Sequence, residues 1–192
     1  MSPVQKHWDI RAALNFMLGG SGAGLMIWTA LLQVSSPYPI ALSLALVAAG
    51  LFAVWMEIGR KLRALHVLLN PFTSWMTRES FAALLLFILG AASLFNFEFR
   101  TGAAIAAAAF LYCQARILRA SKGIPAWRAP LVVPLILLSG LAEGGALLLI
   151  VQGNALGIPV VAAGWWIKFS LITRRARKQA PALPRLPVRG TR

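Results

Sequence analysis

Long apolar blocks recur along the 192-residue chain and most constrain what it can fold into. A bilayer core is about 30 Å thick, and a helix needs about 20 mostly apolar residues to cross it. Backbone N–H and C=O groups find no water in lipid, so each block is predicted to be a helix. The sequence therefore predicts an all-α integral membrane bundle of about six transmembrane helices.

The bundle is predicted to occupy residues 1–173, with a basic, Pro-rich tail at 174–192. A turn containing Gly153 and Gly157 separates the last two helices. Gly20 and Gly24 have the small-xxx-small spacing that lets two helices pack closely. The predicted helices are 11–34, 40–58, 78–97, 101–118, 129–151 and 158–173.

The composition supports a membrane protein, because 59% of residues are hydrophobic and only 12% are charged. The net charge of +14 would also suit nucleic-acid binding. However, the Lys and Arg residues are confined to particular loops and the tail, as membrane topology requires. We therefore expect membrane lipid, and no nucleic acid, among the partners.

The positive charges also predict orientation. With six helices, every Lys and Arg except Arg100 falls on one side of the membrane. Positive residues stay cytoplasmic, so both termini are predicted to be inside, in a bacterial inner membrane. An odd number of spans would break this pattern.

Polar residues that could handle protons gather at the predicted cytoplasmic side. A quinone needs hydrogen-bond partners for its carbonyls, a proton donor and apolar walls. Ordinary anchoring of Trp and Arg in the headgroup zone is an alternative explanation for the same residues. The candidate quinone-binding residues are His7, Arg11, Asn15, Glu57, Arg60, His66 and Trp75.

Glu143 lies well inside the fifth predicted helix, beside glycines. A charged carboxylate at that depth costs roughly 2.5–3.5 kcal/mol. Glu143 is therefore expected to be protonated, paired or facing a polar cavity, either in a proton path or as a packing residue. Lys168 is expected to extend to the inner surface.

Metal and haem binding find little support in the sequence. The single cysteine, Cys113, cannot hold an iron–sulfur cluster alone. His7 and His66 lie at or outside the membrane edge, where they do not form a haem ligand pair. We expect no haem, iron–sulfur cluster or metal site in this chain.

One stretch resembles a known family. The run from Glu57 through Gly59-Arg60-Lys61 to Pro71, followed by Ser74-Trp-Met-Thr-Arg-Glu79, resembles membrane anchor subunits of dimethyl-sulfoxide-reductase-type complexes. These belong to the wider polysulfide-reductase, NrfD/DmsC-like group, and the short anchors of phenylacetyl-CoA:acceptor oxidoreductases are the most similar. This chain has Arg60-Lys61 where the family often has proline, and fewer helices than the eight or more of larger members.

The resemblance implies a partner set and a cofactor. The partners would be a ferredoxin-like subunit with [4Fe–4S] clusters and a molybdenum or tungsten pterin catalytic subunit, both on the cytoplasmic side. The cofactor would be ubiquinone or menaquinone, and the chain itself would be a non-catalytic subunit. An acidic docking surface would suit the basic residues Arg60, Arg63, Arg78 and Arg128.

Two alternatives remain open at this point. A small transporter or channel would favour broken helices and paired intramembrane charges. A purely structural membrane scaffold would use the polar residues for docking alone.

Overall fold

The computed structural model describes residues 10–57, 72–121 and 125–174. These residues are helical or lie in turns, with no strand among them. One π-helical segment, Asn15–Gly19, interrupts the first helical stretch, and a second, Ser170–Arg174, follows the last α-helix. The α-helices are α1 (Ile10–Leu14), α2 (Gly20–Leu31), α3 (Tyr38–Glu57), α4 (Trp75–Ser93), α5 (Arg100–Ala120), α6 (Val132–Val151) and α7 (Gly157–Phe169).

Five helical stretches in the described part are long and apolar enough to cross a membrane. The first combines α1, the π-helical segment and α2, and the fourth includes the short 3₁₀ turn before α5. The all-helical character predicted from the sequence is confirmed for the described residues, and the five apolar stretches support the predicted membrane location. The stretch Gly157–Thr173 is also apolar but shorter than the other five.

Helix boundaries differ from the sequence prediction by up to four residues. Ser74 caps α4 by accepting a hydrogen bond from the Thr77 amide, so this helix begins at Trp75 rather than at Arg78. Its C-terminal end at Ser93 precedes the predicted end at Phe97, because Asn96 caps a separate 3₁₀ turn.

The stretch α1–α2 lies at the centre of the bundle and packs against α3, α5, α6 and α7. Its residues from Gly19 to Met26 are all buried. In contrast, α3, α4 and α6 expose large apolar side chains such as Phe52, Leu84 and Leu138. An outer surface of this kind suits lipid, so the polar groups inside the bundle are its unusual feature.

Candidate functional site

An ion pair between α6 and α7 lies inside the bundle. The Lys168 ammonium donates to Glu143 Oε2 at 2.8 Å, and both side chains are at most 1% exposed. Side chains on a helix lean toward its N-terminus. Lys168 therefore leans toward the N-terminal end of α7. Glu143 leans toward the N-terminal end of α6, which lies beside the C-terminal end of α7 because the two helices are antiparallel.

This geometry corrects the sequence prediction for Lys168. The side chain was expected to extend to the inner surface, but it points into the bundle and neutralises Glu143 instead. Glu143 itself is paired, which was one of the three states expected for it. The pair explains how two charged groups are tolerated at this depth.

Two further side chains surround the Glu143 carboxylate. The Ser21 hydroxyl lies 2.6 Å from Glu143 Oε2 and 2.7 Å from the Met17 carbonyl oxygen. The Trp165 indole N–H donates to the Ser21 oxygen at 2.8 Å. Glu143 Oε1 has no hydrogen-bond partner among the described residues, so one oxygen of the carboxylate is left for another donor.

A close contact between two pairs of glycines brings Ser21 and Glu143 together. Gly20 and Gly24 of α2 lie against Gly140 and Gly144 of α6. A Cβ on Gly24 would collide with the Gly140 carbonyl oxygen, and one on Gly144 would collide with the Gly24 backbone. The close packing predicted from the small-xxx-small spacing is thus present, and it sets the short distance between the two helices.

A groove between α6 and α7 lies beside the carboxylate. It has a volume of about 410 Å³ and is walled mainly by apolar side chains such as Pro159, Val160 and Ile167. Glu143 and Gly164 also line it. A Cβ on Gly164 would collide with Glu143 Oε1, so the glycine leaves the room that this oxygen occupies.

A second polar cluster joins the start of the first span to α4 and α5. The Asn15 amide donates to Glu79 Oε1 at 3.2 Å, and the Gln114 amide donates to the Asn15 carbonyl at 3.1 Å. All three side chains are buried. The oxygens Asn15 Oδ1 and Gln114 Oε1 have no partner among the described residues, so this cluster also retains acceptors.

The π-helical segment Asn15–Gly19 lies between the two clusters. A π-helical turn departs from the regular i→i−4 hydrogen-bond pattern and is frequent at functional sites. Here the carbonyls of Asn15 and Met17 accept side-chain hydrogen bonds from Gln114 and Ser21. The same segment therefore serves both clusters.

Gly20 separates the clusters by a short gap. Lys168 Nζ lies 2.7 Å, and Gln114 Oε1 3.5 Å, from the position that a Cβ on Gly20 would occupy. Lys168 Nζ and Gln114 Oε1 are therefore at most about 6 Å apart, which is the sum of these two distances. One water molecule with two hydrogen bonds spans a gap of this length. The groups from Glu79 to Glu143 form a nearly continuous polar line through the bundle.

An aromatic cluster with two arginines lies where α4 begins and α5 ends. The guanidinium carbons of Arg78 and Arg116 lie 4.3 and 4.4 Å from the Trp75 ring centroid. Tyr112 meets Trp75 edge-to-face at 5.8 Å, and its hydroxyl accepts a 2.8 Å bond from Arg116. Both cations are thus held against one indole ring.

The predicted quinone-site residues have different outcomes. Asn15 lies in the buried cluster with Glu79 and Gln114. Trp75 lies in the aromatic cluster. Arg11 is exposed, and its side chain donates to the Met56 carbonyl. The structure does not join these three residues in one described contact. The candidates His7, Arg60, Arg63 and His66 lie outside the described residues, as does the side chain of Glu57.

The docking candidates Arg78 and Arg128 lie at the ends of helices, with Arg128 exposed before α6. No group of three or more potential metal ligands occurs within the described ranges.

Ser21, Gln114, Trp165 and the role of Lys168 were missed in the sequence. A signal existed for Lys168, because it and Glu143 are lone opposite charges in two helices joined by a short turn. Such helices are antiparallel neighbours, so their lone charges fall within reach of each other. Ser21 and Gln114 carried no comparable signal, because single polar residues are common in packed helices.

Comparison with known proteins gives no relative to set beside this geometry: no family model matches the chain, and neither the curated proteins nor the solved structures contain a match.

Proposed function

We propose that the chain is a membrane subunit that binds quinone and exchanges electrons with a docked iron–sulfur protein. In this proposal it has six spans and both termini in the cytoplasm, with Gly157–Thr173 as the sixth span. The partner subunits are those that the family resemblance of residues 57–79 implies: a [4Fe–4S] subunit and a molybdenum or tungsten pterin enzyme.

The observation that carries the proposal is the buried contact between Asn15 and Glu79 beside Gln114. These side chains supply amide donors, a carboxyl group and two oxygens without partners. A quinone requires donors at its carbonyls, and a quinol requires acceptors for its hydroxyls. The donors and the acceptors are both present at the end of the bundle where the positive charges predict the cytoplasmic side.

Glu143 has a place in the same proposal as part of a proton path. Reduction of a quinone to a quinol consumes two protons and two electrons. Protons would pass from the Glu143–Lys168 pair to Glu79 through water in the Gly20 gap. The Gln114 and Asn15 amides would hydrogen-bond that water and would not relay protons themselves. Glu79 then acts as the proton donor beside the quinone.

Docking of the iron–sulfur subunit uses the basic residues on the same side. Arg60 and Arg63 fall in the connection before α4, and Arg128 is exposed just before α6. Complementary charge speeds association and fixes orientation. Co-purification of a four-cluster ferredoxin-like subunit with the intact chain tests this part, and loss of that subunit in R60Q/R63Q is the expected result.

A quinone-analogue titration tests the central claim. The purified chain is titrated with 2-heptyl-4-hydroxyquinoline N-oxide, whose fluorescence reports binding. E79Q is expected to weaken binding by about ten-fold or more, since a hydrogen bond to a charged group contributes about 1.5–3 kcal/mol. The matched control is E98Q, an exposed carboxylate before α5. Equal affinity in E79Q, E98Q and the unmodified chain would contradict a quinone site at Glu79.

The Glu143–Lys168 pair favours one other function, a small transporter or channel, here one that carries protons. Paired charges inside the membrane and interrupted helices are features of such proteins. The π-helical segment Asn15–Gly19, which interrupts the first span, and the buried ion pair supply both features. A transporter would use the polar line to carry protons without any redox partner.

Proteoliposomes separate the two functions. A potassium gradient with valinomycin drives proton uptake, which the enclosed dye pyranine reports. A transporter would show uptake above protein-free vesicles, lost in E143Q and reduced in G20A. The quinone proposal predicts uptake no faster than that of protein-free vesicles, because protons then move only during electron transfer.

A further inference from the structure

The aromatic cluster with two arginines suggests a ligand of its own. It consists of Trp75, Arg78, Tyr112 and Arg116. Arg78 and Arg116 direct their cationic groups at one indole ring, at 4.3 and 4.4 Å. Each guanidinium carries a positive charge, and an anion beside the ring would be attracted to both.

The position of the cluster at the level of the lipid headgroups indicates which kind of anion it would bind. Arg78 continues a stripe of exposed apolar residues on α4, formed by Phe81, Leu85 and Ile88 at helical spacing. The exposed side of a membrane bundle faces lipid tails. Arg78 therefore lies at the end of a lipid-facing stripe, where the tails give way to headgroups.

The same arrangement holds on α5. Arg116 continues the exposed stripe of Ile105, Ala109 and Tyr112. Tyr112 and Trp75 are residue types that favour the headgroup level of the membrane. Both arginines thus border lipid laterally at the depth of the phosphate groups.

We propose that this cluster is a binding site for the phosphate of an anionic phospholipid. The two guanidinium groups bind the phosphodiester oxygens, for which their planar donor geometry is suited. Trp75 lies against both groups, the Phe72 carbonyl accepts a 2.6 Å bond from Arg78, and the Tyr112 hydroxyl accepts a 2.8 Å bond from Arg116. The acyl chains lie along the apolar stripes of α4 and α5.

An acidic protein surface is the other class of partner for these arginines. The stripes favour lipid, because a soluble partner approaches along the membrane normal and not from the side of the bundle. The site does not depend on quinone binding, so its test requires no redox partner.

The test compares two lipids on the purified full-length chain by native mass spectrometry. Dioleoylphosphatidylglycerol is expected to remain bound in preference to dioleoylphosphatidylcholine. Each arginine that donates directly to the phosphate contributes about ten-fold in affinity through a charge-assisted hydrogen bond, so R78Q/R116Q is expected to reduce the preference about 100-fold. The matched control is R119Q/R128Q, which removes the same charge from exposed positions outside the cluster and is expected to keep the preference within about three-fold, because solvent and salt screen such charges.

Two outcomes would overturn the proposal. One is an unmodified chain that binds both lipids equally; the other is a control variant that loses as much preference as R78Q/R116Q. The variant R78K/R116K guards against misfolding, because it retains the charge and removes only the planar donor geometry. It is expected to keep phosphatidylglycerol binding at an intermediate level, and an unchanged preference would likewise contradict binding through the planar guanidinium groups.

Discussion

Glu143 and Lys168 form an ion pair, with 2.8 Å between Oε2 and Nζ, in an otherwise apolar contact between α6 and α7. Both side chains are buried, and the Ser21 hydroxyl lies 2.6 Å from the same carboxylate oxygen. Charges at such depth are costly, so each partner depends on the other for its charged form. The pair therefore connects the stability of the bundle to the group that the proton path would use.

The variant K168M is expected to destabilise the protein by about 3–5 kcal/mol, because it leaves a buried carboxylate without its counter-charge. Thermal unfolding in one fixed detergent measures the loss. R119M provides the control, since Arg119 is exposed on α5. The double variant E143L/K168M should recover most of the stability, because replacing both charges with apolar groups is often neutral. A double variant as unstable as K168M would contradict this account.

The glycine contact between α2 and α6 makes a second prediction. G144A is expected to cost about 1–3 kcal/mol, because its Cβ would meet the backbone of Gly24 and force the helices apart. G102A is the matched control on α5, where the nearest atom is the flexible end of Leu89 at 3.1 Å. That variant should be neutral or slightly stabilising, since alanine favours helix over glycine. Equal melting temperatures for the two variants would show that the contact is looser than described.

Trp127 makes a third prediction, about the π-helical end of α7. Its buried indole N–H donates to the Leu171 carbonyl at 3.1 Å. W127F removes the donor while keeping an aromatic ring, and the buried carbonyl left behind should cost about 1–3 kcal/mol. W166F, at a position that is 57% exposed, is the comparison and should change stability by less than about 0.5 kcal/mol. Chemical unfolding in mixed micelles distinguishes the two.

Helix identity could be predicted from the sequence because apolar length is itself the signal for a membrane helix. The blocks around α3 and α6 were found within a few residues of their ends. The glycine spacing of Gly20 and Gly24 also indicated close packing, although it could not identify α6 as the partner. That identity depends on how the helices are arranged, which one helix's spacing does not encode.

The candidate site was less accessible to sequence reasoning. Asn15 was included because it lies one turn from Arg11 on a polar stripe, but its actual partners, Glu79 and Gln114, come from α4 and α5. Lys168 was misjudged because proximity to the basic tail outweighed the direction in which helical side chains lean. Contacts between distant helices and side-chain direction decide such a site, and composition reports neither.

The six-span arrangement makes the last prediction, which concerns sidedness. Single cysteines are introduced into a C113A background, since the native Cys113 is buried and alanine suits a helix. In intact bacterial spheroplasts, a membrane-impermeant maleimide should label S35C and Q152C, which lie in turns on the same predicted outer side. A120C, K61C and K178C should be labelled only after the membrane is permeabilised, because all three fall on the predicted cytoplasmic side. Labelling of K61C and K178C from opposite sides would require an odd number of spans between them, and the shared cytoplasmic surface for docking and quinone binding would then be wrong.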